Sequence, residues 1–204
     1  IGEFDSHGVG PHEIGLLHGS NLLVVANGGI ETHPDSGRAK LNLPWMASTL
    51  AYVDCHNGRL VERVALPATL QQLSLRHLDV RPDGLVLVGG QYQEPGAPPV
   101  PLLATHRQGA SLQMIDIPSG TQRRMRHYVG SVALSPDGLA AATCPRGNLA
   151  LIWEVDRSDR QPRIIDMRDV CGLAARPQGD FLLTTGKGEI ATDRQQTRLP
   201  LQWD

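Results

Sequence analysis

Four stretches of the chain share one spacing of turn residues, and this internal repeat constrains the fold more than any local motif does. Three of them, HLDVRPDG, SVALSPDG and GLAARPQG, begin at residues 77, 131 and 172 and place Pro and Gly at the same two positions. The fourth, HEIGLLHG, runs from His12 to Gly19 and has Leu17 in place of Pro. A run rich in apolar residues follows each stretch. The chain is therefore built from four related units.

Each unit has the pattern of short β-strands joined by tight turns. In the second unit Leu78 and Val80 alternate with Asp79 and Arg81, which is typical of a strand with one buried face. Pro presets φ in the turn that follows, and Gly accepts the positive φ that the turn requires. Four-stranded units in tandem build a β-propeller, whereas a β-sandwich does not require one spacing to recur four times. We predict an all-β fold, a β-propeller with about four four-stranded blades.

The single propeller domain is expected to span residues 1–204, with blades at about residues 8–70, 71–127, 128–168 and 169–204. Blades 1 and 2 carry insertions, at 27–48 and 91–110, and the third strand of blade 2 is expected after its insertion, at 112–116. Helical spacing is confined to residues 69–76. Propellers usually contain four to eight blades, and an open array leaves unpaired edges. We therefore expect this chain to be the C-terminal part of a seven-bladed ring, with the missing N-terminal blades as its partners.

Composition and charge exclude several classes of protein. The formal net charge of −2 gives no basic surface of the kind that binds nucleic acid. The sequence contains no run of 18 apolar residues, so no membrane span is predicted. Cys55, Cys144 and Cys171 are an odd number without the spacing of a metal site, which favours free thiols over a disulfide framework.

Several longer motifs resemble a known family. They are GVGPHE at 8–13, VVANGGIETHPDSGRAKLNL at 24–43, LSLRHL at 73–78, GGQYQ at 89–93, YVGSVALSPDG at 128–138 and the closing QWD. Together they resemble the bacterial domain-of-unknown-function 1513 family, over nearly the whole chain. The resemblance implies a seven-bladed propeller related to YVTN-repeat, WD40-like and quinoprotein-like propellers. It also implies a periplasmic protein, often exported by a twin-arginine signal, that accompanies iron-uptake proteins. It implies no established activity.

Polar side chains are expected to meet at one face of the ring. In an up-and-down blade, the segment that leads into the first strand and the loop between the second and third strands lie on the same face. Long loops on a rigid scaffold are where function tends to lie. Lys40, Glu94, His106 and Arg107 belong to these loops. The predicted ligand-binding residues at this face are His12, Glu13, Asn27, Glu31, His33, Asp35, Arg38, Arg76, His77, Gln91 and Tyr92.

A transition metal is one ligand that this face could take. Imidazole and carboxylate groups suit Zn, Fe or Ni, and His12, His33 and His77, with Glu13 beside them, are the candidate ligands. Their spacing matches no established metal motif. The alternative for each histidine is a ring that is hydrogen-bonded to a loop carbonyl.

An anion is the second possible ligand, because Arg38, Lys40 and Arg76 would supply positive charge and Arg offers a fixed fork to carboxylate or phosphate. The alternative is that the two arginines pair with acidic residues of the same loops, Glu13, Glu31 or Asp35, and hold those loops in place. A nucleophilic enzyme is a third possibility, but none of the candidate serines lies in a GxSxG elbow. No catalytic residue is predicted.

Two functions follow from these residues and from the resemblance. The first is a binding or scaffold module of the bacterial envelope that holds an envelope protein or a small ligand at the loop-rich face. The alternative is a metal-binding protein or metal-dependent enzyme linked to iron handling, with the His and Glu side chains of the same face as ligands.

Overall fold

The computed structural model describes residues 3–37, 39–94, 96–157, 161–194 and 199–200. The strands in this part of the chain are β1 Pro11–Leu16, β2 Leu22–Asn27, β3 Thr49–Asp54, β4 Leu60–Ala65, β5 Leu73–Val80, β6 Val86–Tyr92, β7 Leu103–His106, β8 Gln113–Met114, β9 Ser131–Leu134, β10 Leu139–Cys144, β11 Leu149–Glu154, β12 Arg163–Asp166, β13 Val170–Ala175, β14 Phe181–Thr185, β15 Glu189–Thr192 and β16 Leu199–Pro200. Helix α1 spans Ser119–Met125, and short 3-10 turns lie at Pro34–Ser36, Leu43–Trp45, Ala68–Leu70 and Pro145–Gly147.

The strands form four antiparallel sheets of four strands each, in chain order: β1 to β4, β5 to β8, β9 to β12 and β13 to β16. We call these sheets blades 1 to 4. Within each sheet, every strand pairs with its neighbours along the chain, which is the up-and-down connectivity of a propeller blade. The first strands, which we call inner strands, lie side by side in the order β1, β5, β9, β13. The prediction of an all-β propeller with four-stranded blades is confirmed.

Close packing between blades depends on small residues in the inner halves of blades 1 and 2. A Cβ atom on Gly15 would lie 2.7 Å from Val80 Cγ2 and 2.8 Å from Leu78 Cδ1, so blade 2 presses directly on the backbone of β1. A Cβ atom on Gly89 would lie 2.9 Å from Val132 Cγ1 in the same way. The largest apolar cluster lies between these sheets and includes residues of blades 1, 2 and 3. Burial of this cluster provides the main drive for folding.

A β-bulge near the start of the inner strand recurs in three blades. In blades 1 and 2 the pairing with the second strand skips one residue, His12 and Arg76 respectively, and resumes at Glu13 and His77. In blade 4 the skipped residue is Cys171. Bulges of this kind redirect a side chain and end regular pairing.

The positions of the bulges show which residue of blade 1 is equivalent to His77 of blade 2. Glu13, and not His12, occupies the position of His77, because the turn that follows β1 is one residue longer than the turn that follows β5. Six residues, 17–22, separate the last paired residues in blade 1, and five residues, 81–85, separate them in blade 2. The prediction that His12 and His77 are equivalent is therefore wrong, and His12 is the counterpart of Arg76.

Blade 2 also differs from expectation in its outer strands. The third strand is β7, which lies inside the predicted insertion, and residues 113–114 form the fourth strand. Helical spacing was predicted for residues 69–76, but Leu73–Val80 forms strand β5. The α-helix of the described chain, α1, lies at Ser119–Met125 instead. The short apolar run LLATH was hidden by the prolines that precede it, and tertiary pairing with β6 decides its conformation.

Two expectations from composition concern cysteines and membrane spans. The three cysteines are free thiols, and Cys144 is buried. None of the helices in the described part of the chain has the length and hydropathy needed to cross a bilayer.

Candidate functional site

One face of the blades brings together the starts of the inner strands and the connections between second and third strands. Backbone hydrogen bonds join these two kinds of segment, from Gly28 N–H to Gly10 O in blade 1 (2.8 Å) and from Gly130 N–H to Thr143 O in blade 3 (2.8 Å). We call this side the mouth face. The turns that follow the inner strands lie on the opposite side.

A cleft of about 760 Å³ opens on the mouth face across blades 1, 2 and 3. Its walls are the connection between β2 and β3, the end of β6 with the residues that follow it, and the segment that leads into β9. Arg76 from the bulge of β5 and Arg146 from the turn after β10 complete the lining. The cleft is thus built from the three blades that share the largest core, on the face where loops were expected to gather.

Positive charge dominates this cleft. Lys40, Arg76, Arg126 and Arg146 line it, together with one carboxylate, that of Glu94. In the part of the chain that the structure describes, no salt bridge joins any of the four cations to an acidic side chain. None of the four cations is therefore directly paired with a described carboxylate, and they outnumber the one carboxylate that lines the cleft.

Arg76 is the most enclosed of these cations. Its Nε donates a hydrogen bond to Ser74 Oγ at 3.1 Å, which fixes the plane of the guanidinium. Burial lowers the pKa of Arg76 from its ordinary value, although a guanidinium stays charged at any physiological pH. Lys40 is held by a hydrogen bond from Nζ to Gln93 Oε1, which leaves its charge free to act on the cleft.

Aromatic rings line the cleft beside the cations, and we call this part, which includes Tyr92 and residues 126–128, the aromatic wall. The Arg146 guanidinium lies 4.3 Å from the centroid of the Tyr128 ring, which is a cation–π contact. The rings of Tyr92 and His127 have centroids 5.7 Å apart, and His127 Nε2 lies 3.1 Å from Ala97 O. Flat faces of rings and of a guanidinium thus border the charged region.

Two consecutive residues of this wall have a strained backbone. Arg126 and His127 both lie in the left-handed region, with φ of 51° and 56°. A residue other than glycine in this region costs the folded state about 1 kcal/mol or more. A hydrogen bond from Tyr92 N–H to His127 O (3.0 Å) holds the segment between blades 2 and 3. Arg126 is the C-cap of helix α1, and its left-handed backbone, with its N–H bonded to Arg123 O, ends that helix.

His12, Glu13 and His77 form a separate cluster at the mouth end of the first two inner strands. Glu13 Oε2 accepts hydrogen bonds from the Leu78 N–H at 3.0 Å and from His77 Nδ1 at 3.1 Å. The rings of the two histidines meet edge to face, with centroids 4.8 Å apart. The carboxylate therefore joins blade 1 to blade 2 through the backbone of β5.

The environment of this cluster affects two protonation equilibria. Burial lowers the pKa of His12, and the positive charge of Arg76 and the ring of His77 lower it further. Burial alone would raise the pKa of Glu13, but the hydrogen bonds from His77 and from the Leu78 N–H outweigh it and lower the pKa. A neutral His12 beside an ionised Glu13 is the state expected near pH 7.

The remaining predicted residues are scattered along the first connection. Asn27 is buried, and its Nδ2 donates to Ser6 O at 3.0 Å. Glu31 borders a second, smaller cavity of about 410 Å³. Arg38 lies outside the described residues. Gln91 and Tyr92 lie at the end of β6 and line the main cleft.

The three-histidine metal site finds no support in this arrangement. Among the residues that the structure describes, no group of three or more His, Cys, Asp or Glu side chains is placed to hold a metal ion. His33 is largely exposed, and its Nδ1 accepts the backbone N–H of Asp35 at 3.2 Å, so that it caps the turn at Pro34–Ser36. Its ring is thus used in a local cap.

Two of the loop residues lie elsewhere. His106 ends β7, is 2% exposed, and its Nδ1 lies 2.7 Å from the hydroxyl of Tyr52 in blade 1. Arg107 donates to the carboxylate of Asp83 at 2.6 Å, in the turn after β5 and away from the mouth face. Both residues join elements of the scaffold.

Sequence reasoning missed the residues that lead into blade 3. The stretch RRMRHY at 123–128 is rich in basic residues and leads into the inner strand of blade 3, just before Gly130, which is the counterpart of His12 and Arg76. That position was the available signal. The segment is short, whereas long loops are the ones expected to carry a site.

The comparisons with known proteins give a family and a fold. The family model "Protein of unknown function (DUF1513)" matches residues 1–204. No curated protein matches the sequence. Among solved structures, the Dos1 propeller is similar with a TM-score of 0.60 and 11% identity, over 95% of this chain and 48% of that one. Hydrazine synthase of Kuenenia stuttgartiensis is similar with a TM-score of 0.55 and 12% identity, over 89% of this chain and 56% of that one. The chain thus spans about half the length of each, and at such identities the likeness shows the fold alone.

Proposed function

The chain belongs to the DUF1513 family of proteins of unknown function, and we propose that it is a propeller binding module that holds a small anionic ligand in the mouth-face cleft. The observation that carries this proposal is the set of four cations that line the cleft with a single carboxylate among them. The ligand class is a small molecule that bears a carboxylate or a phosphate group.

Size and geometry support a small ligand. A volume of about 760 Å³ falls within the range of about 300–1,000 Å³ that small-molecule sites occupy. Arg76 is fixed by its bond to Ser74, so its fork is already oriented toward an anion and little entropy is lost on binding. Arg146 is oriented in turn by the ring of Tyr128.

The aromatic wall supports a preference for anions that carry a flat group. Tyr92, His127 and Tyr128 present ring faces and edges next to the cations. A planar carboxylate with an attached ring would contact both parts of the cleft, whereas inorganic phosphate would use the cations alone. We expect aromatic carboxylates to bind more tightly than phosphate.

The test is a titration of the purified protein by isothermal calorimetry with three anions, phosphate, citrate and benzoate. Choline, a small cation, serves as the negative control. Arg76→Met should weaken anion binding about 10- to 100-fold, because a hydrogen bond to a charged group contributes about 1.5–3 kcal/mol. Binding should also weaken as salt rises.

Arg59→Met is the matched control, because Arg59 lies in the turn before β4 and does not line the cleft. Its affinity for anions should equal that of the unsubstituted protein. Equal losses in Arg59→Met and Arg76→Met, or no heat with any of the three anions, would contradict an anion site in this cleft.

We further propose that the protein acts in the bacterial envelope, in the periplasm and in association with iron uptake. The support is its membership of the DUF1513 family, whose resemblance implies such a setting. Cell fractionation of the native host with an antibody to this chain tests the location. Recovery with a cytoplasmic marker would contradict it, and unchanged abundance between iron-poor and iron-rich growth would contradict the link to iron.

A further inference from the structure

The first three inner strands carry a carboxylate, an imidazole and a hydroxyl at one shared position. The residues are Glu13 in blade 1, His77 in blade 2 and Ser131 in blade 3, and from each of them regular pairing with the second strand of the blade begins. Because the inner strands lie side by side in this order, the three residues are neighbours at the mouth end of the strands. These are the groups of a serine-nucleophile triad, which is recognised by geometry and roles and not by the order of its residues in the chain.

The contact between the carboxylate and the imidazole is present in the structure. Glu13 Oε2 lies 3.1 Å from His77 Nδ1. Because an ionised carboxylate can only accept, Nδ1 carries the proton of the neutral ring, and Nε2 keeps a lone pair that can take a proton. The side chains of Glu13 and His77 are 41% and 25% exposed, so a small substrate can reach the ring. The pair is therefore arranged as an oriented general base.

The register between blades directs His77 Nε2 toward blade 3. Alternate residues of a strand share a face, and Asp79, two residues after His77, accepts the Leu134 N–H of blade 3 at 2.7 Å. Glu13 faces blade 2 in the same way and contacts the ring nitrogen nearest to the base of the His77 side chain. Glu and His side chains are similar in length, so His77 Nε2 is directed toward the base of the next side chain in the series. In Ser131 that base carries Oγ.

The hydroxyl and its surroundings suit a nucleophile. Among the residues that the structure describes, none forms a hydrogen bond with Ser131 Oγ, and Ser131 is only partly buried. Oγ and His77 Nε2 are not hydrogen-bonded to each other either, and catalytic bonds of this kind often tighten only when a substrate is bound. Burial, and next the positive charge of Arg76, lowers the pKa of His12, whose ring meets that of His77 edge to face. Arg76 therefore acts on this cluster, and positive charge stabilises the oxyanion that forms when a carbonyl is attacked.

We propose that Ser131, His77 and Glu13 form a triad that hydrolyses small carboxylic esters at the mouth end of the inner strands. Ser131 Oγ bonds to the ester carbonyl carbon, and His77 Nε2 takes the Oγ proton and passes it to the leaving alcohol as the C–O bond breaks. Water then attacks the acyl group and gives its proton to Nε2, and Oγ regains a proton as its bond to the acyl group breaks. Glu13 positions the ring and does not touch the substrate.

A fluorophosphonate probe tests the nucleophile, because a serine oxygen displaces fluoride from phosphorus readily only when a base takes its proton. The intact mass should show one label per chain, and peptide mapping should locate it on Ser131. His77→Gln should slow labelling by about 100- to 10,000-fold. His18→Gln is the matched control, because His18 is exposed in the turn after β1, and this variant should react at the rate of the unsubstituted protein. Far-UV circular dichroism checks that each variant is folded.

Hydrolysis of p-nitrophenyl acetate measures turnover. The protein should release a burst of one p-nitrophenol per chain as an acyl-enzyme forms. Ser131→Ala should remove the burst, whereas Ser111→Ala, which changes an exposed serine before β8, should keep it. Glu13→Gln should lower kcat about 10-fold or more and change KM by less than about 2-fold, which a role in folding alone would not produce.

Either of two results would overturn the proposal. One is a folded protein in which Ser131 takes no label. The other is ester hydrolysis that persists at full rate in Ser131→Ala, because the nucleophile would then be another group. Both results are independent of anion binding in the mouth-face cleft, which the calorimetric titration measures, so the failure of one proposal is distinguishable from the failure of the other.

Discussion

A buried hydrogen bond between Tyr52 and His106 joins the outer halves of blades 1 and 2. The Tyr52 hydroxyl lies 2.7 Å from His106 Nδ1, and Nε2 of the same ring lies 2.9 Å from Ala110 O. Because a carbonyl can only accept, Nε2 carries the proton and Nδ1 accepts from the hydroxyl. Burial, with the nearby charge of Glu62, raises the pKa of Tyr52, so the hydroxyl stays protonated and continues to donate.

The substitution Tyr52→Phe removes one oxygen and leaves His106 Nδ1 without a donor. Tyr52 is 0% exposed and His106 is 2% exposed, so water cannot replace the lost group without rearrangement. The ring of Phe fills the same space, so no cavity cost is added. An unpaired buried acceptor costs about 1–3 kcal/mol, and we expect the free energy of unfolding to fall by about this amount.

Urea unfolding followed by far-UV circular dichroism measures the change, and a two-state transition is a condition for the analysis. Tyr92→Phe is the matched control, because its hydroxyl makes only a long contact of 3.5 Å with Glu94 at an exposed site. That variant should differ from the unsubstituted protein by less than about 0.5 kcal/mol. If the two variants lose the same stability, or if Tyr52→Phe loses none, the bond does not join the blades as described.

Three further predictions concern other parts of the scaffold. Folding lowers the pKa of Glu13, so the ionised side chain adds to the free energy of unfolding above its ordinary pKa of 4.5, and this addition is lost as pH falls through the lower folded pKa. Glu13→Gln should therefore reduce the free energy of unfolding at pH 7 by up to about 1 kcal/mol. A urea series that shows the same loss at pH 3 would refute this. Gly147→Ala should lower the melting temperature, because the new Cβ would lie 2.1 Å from Arg124 O. Gly120→Ala should raise it, because a Cβ at this position in α1 meets nothing within 4 Å and alanine reduces the entropy of the unfolded chain. A lower melting temperature in both variants would contradict the steric argument. Burial raises the pKa of Cys144 to about 12, so in a thiol assay at pH 8 the native protein should expose at most the two other cysteines, and reaction of all three before unfolding would show that this strand opens.

The blades could be predicted because their signals are local. Turn residues such as Pro136 and Gly138 fix the conformation of two or three neighbours, and the alternation of apolar and polar residues over 78–81 indicates a strand, although burial along β5 does not alternate. These effects act within a few residues, so they can be read without knowledge of the rest of the molecule. The prediction was wrong where the local sequence preference conflicted with strand pairing. Strand β7 was not predicted, and its short apolar run becomes a strand because it pairs with β6.

The candidate site could be predicted only in part. Its face follows from connectivity, and Arg76, Gln91 and Tyr92 do line the cleft. Arg126 and Arg146 were missed, because both lie in short segments that flank strands of blade 3, and only the folded chain shows that these segments share a cleft with Arg76 of blade 2 and Lys40 of blade 1. The equivalence of His12 and His77 was wrong because one extra residue in a turn shifts a strand without disturbing its apolar pattern.

The sequence by itself determined the repeated unit, the four-stranded blade and the face on which loops gather, since these depend on turn conformation and on alternation along single strands. Only the tertiary structure decided which side chains meet: that Glu13 bonds the backbone of the next blade, and that four cations share one cleft. The physical reason is that these contacts join side chains of different blades, so they depend on the distances between blades. Those distances are set by packing across the whole arc and by no one segment of the chain.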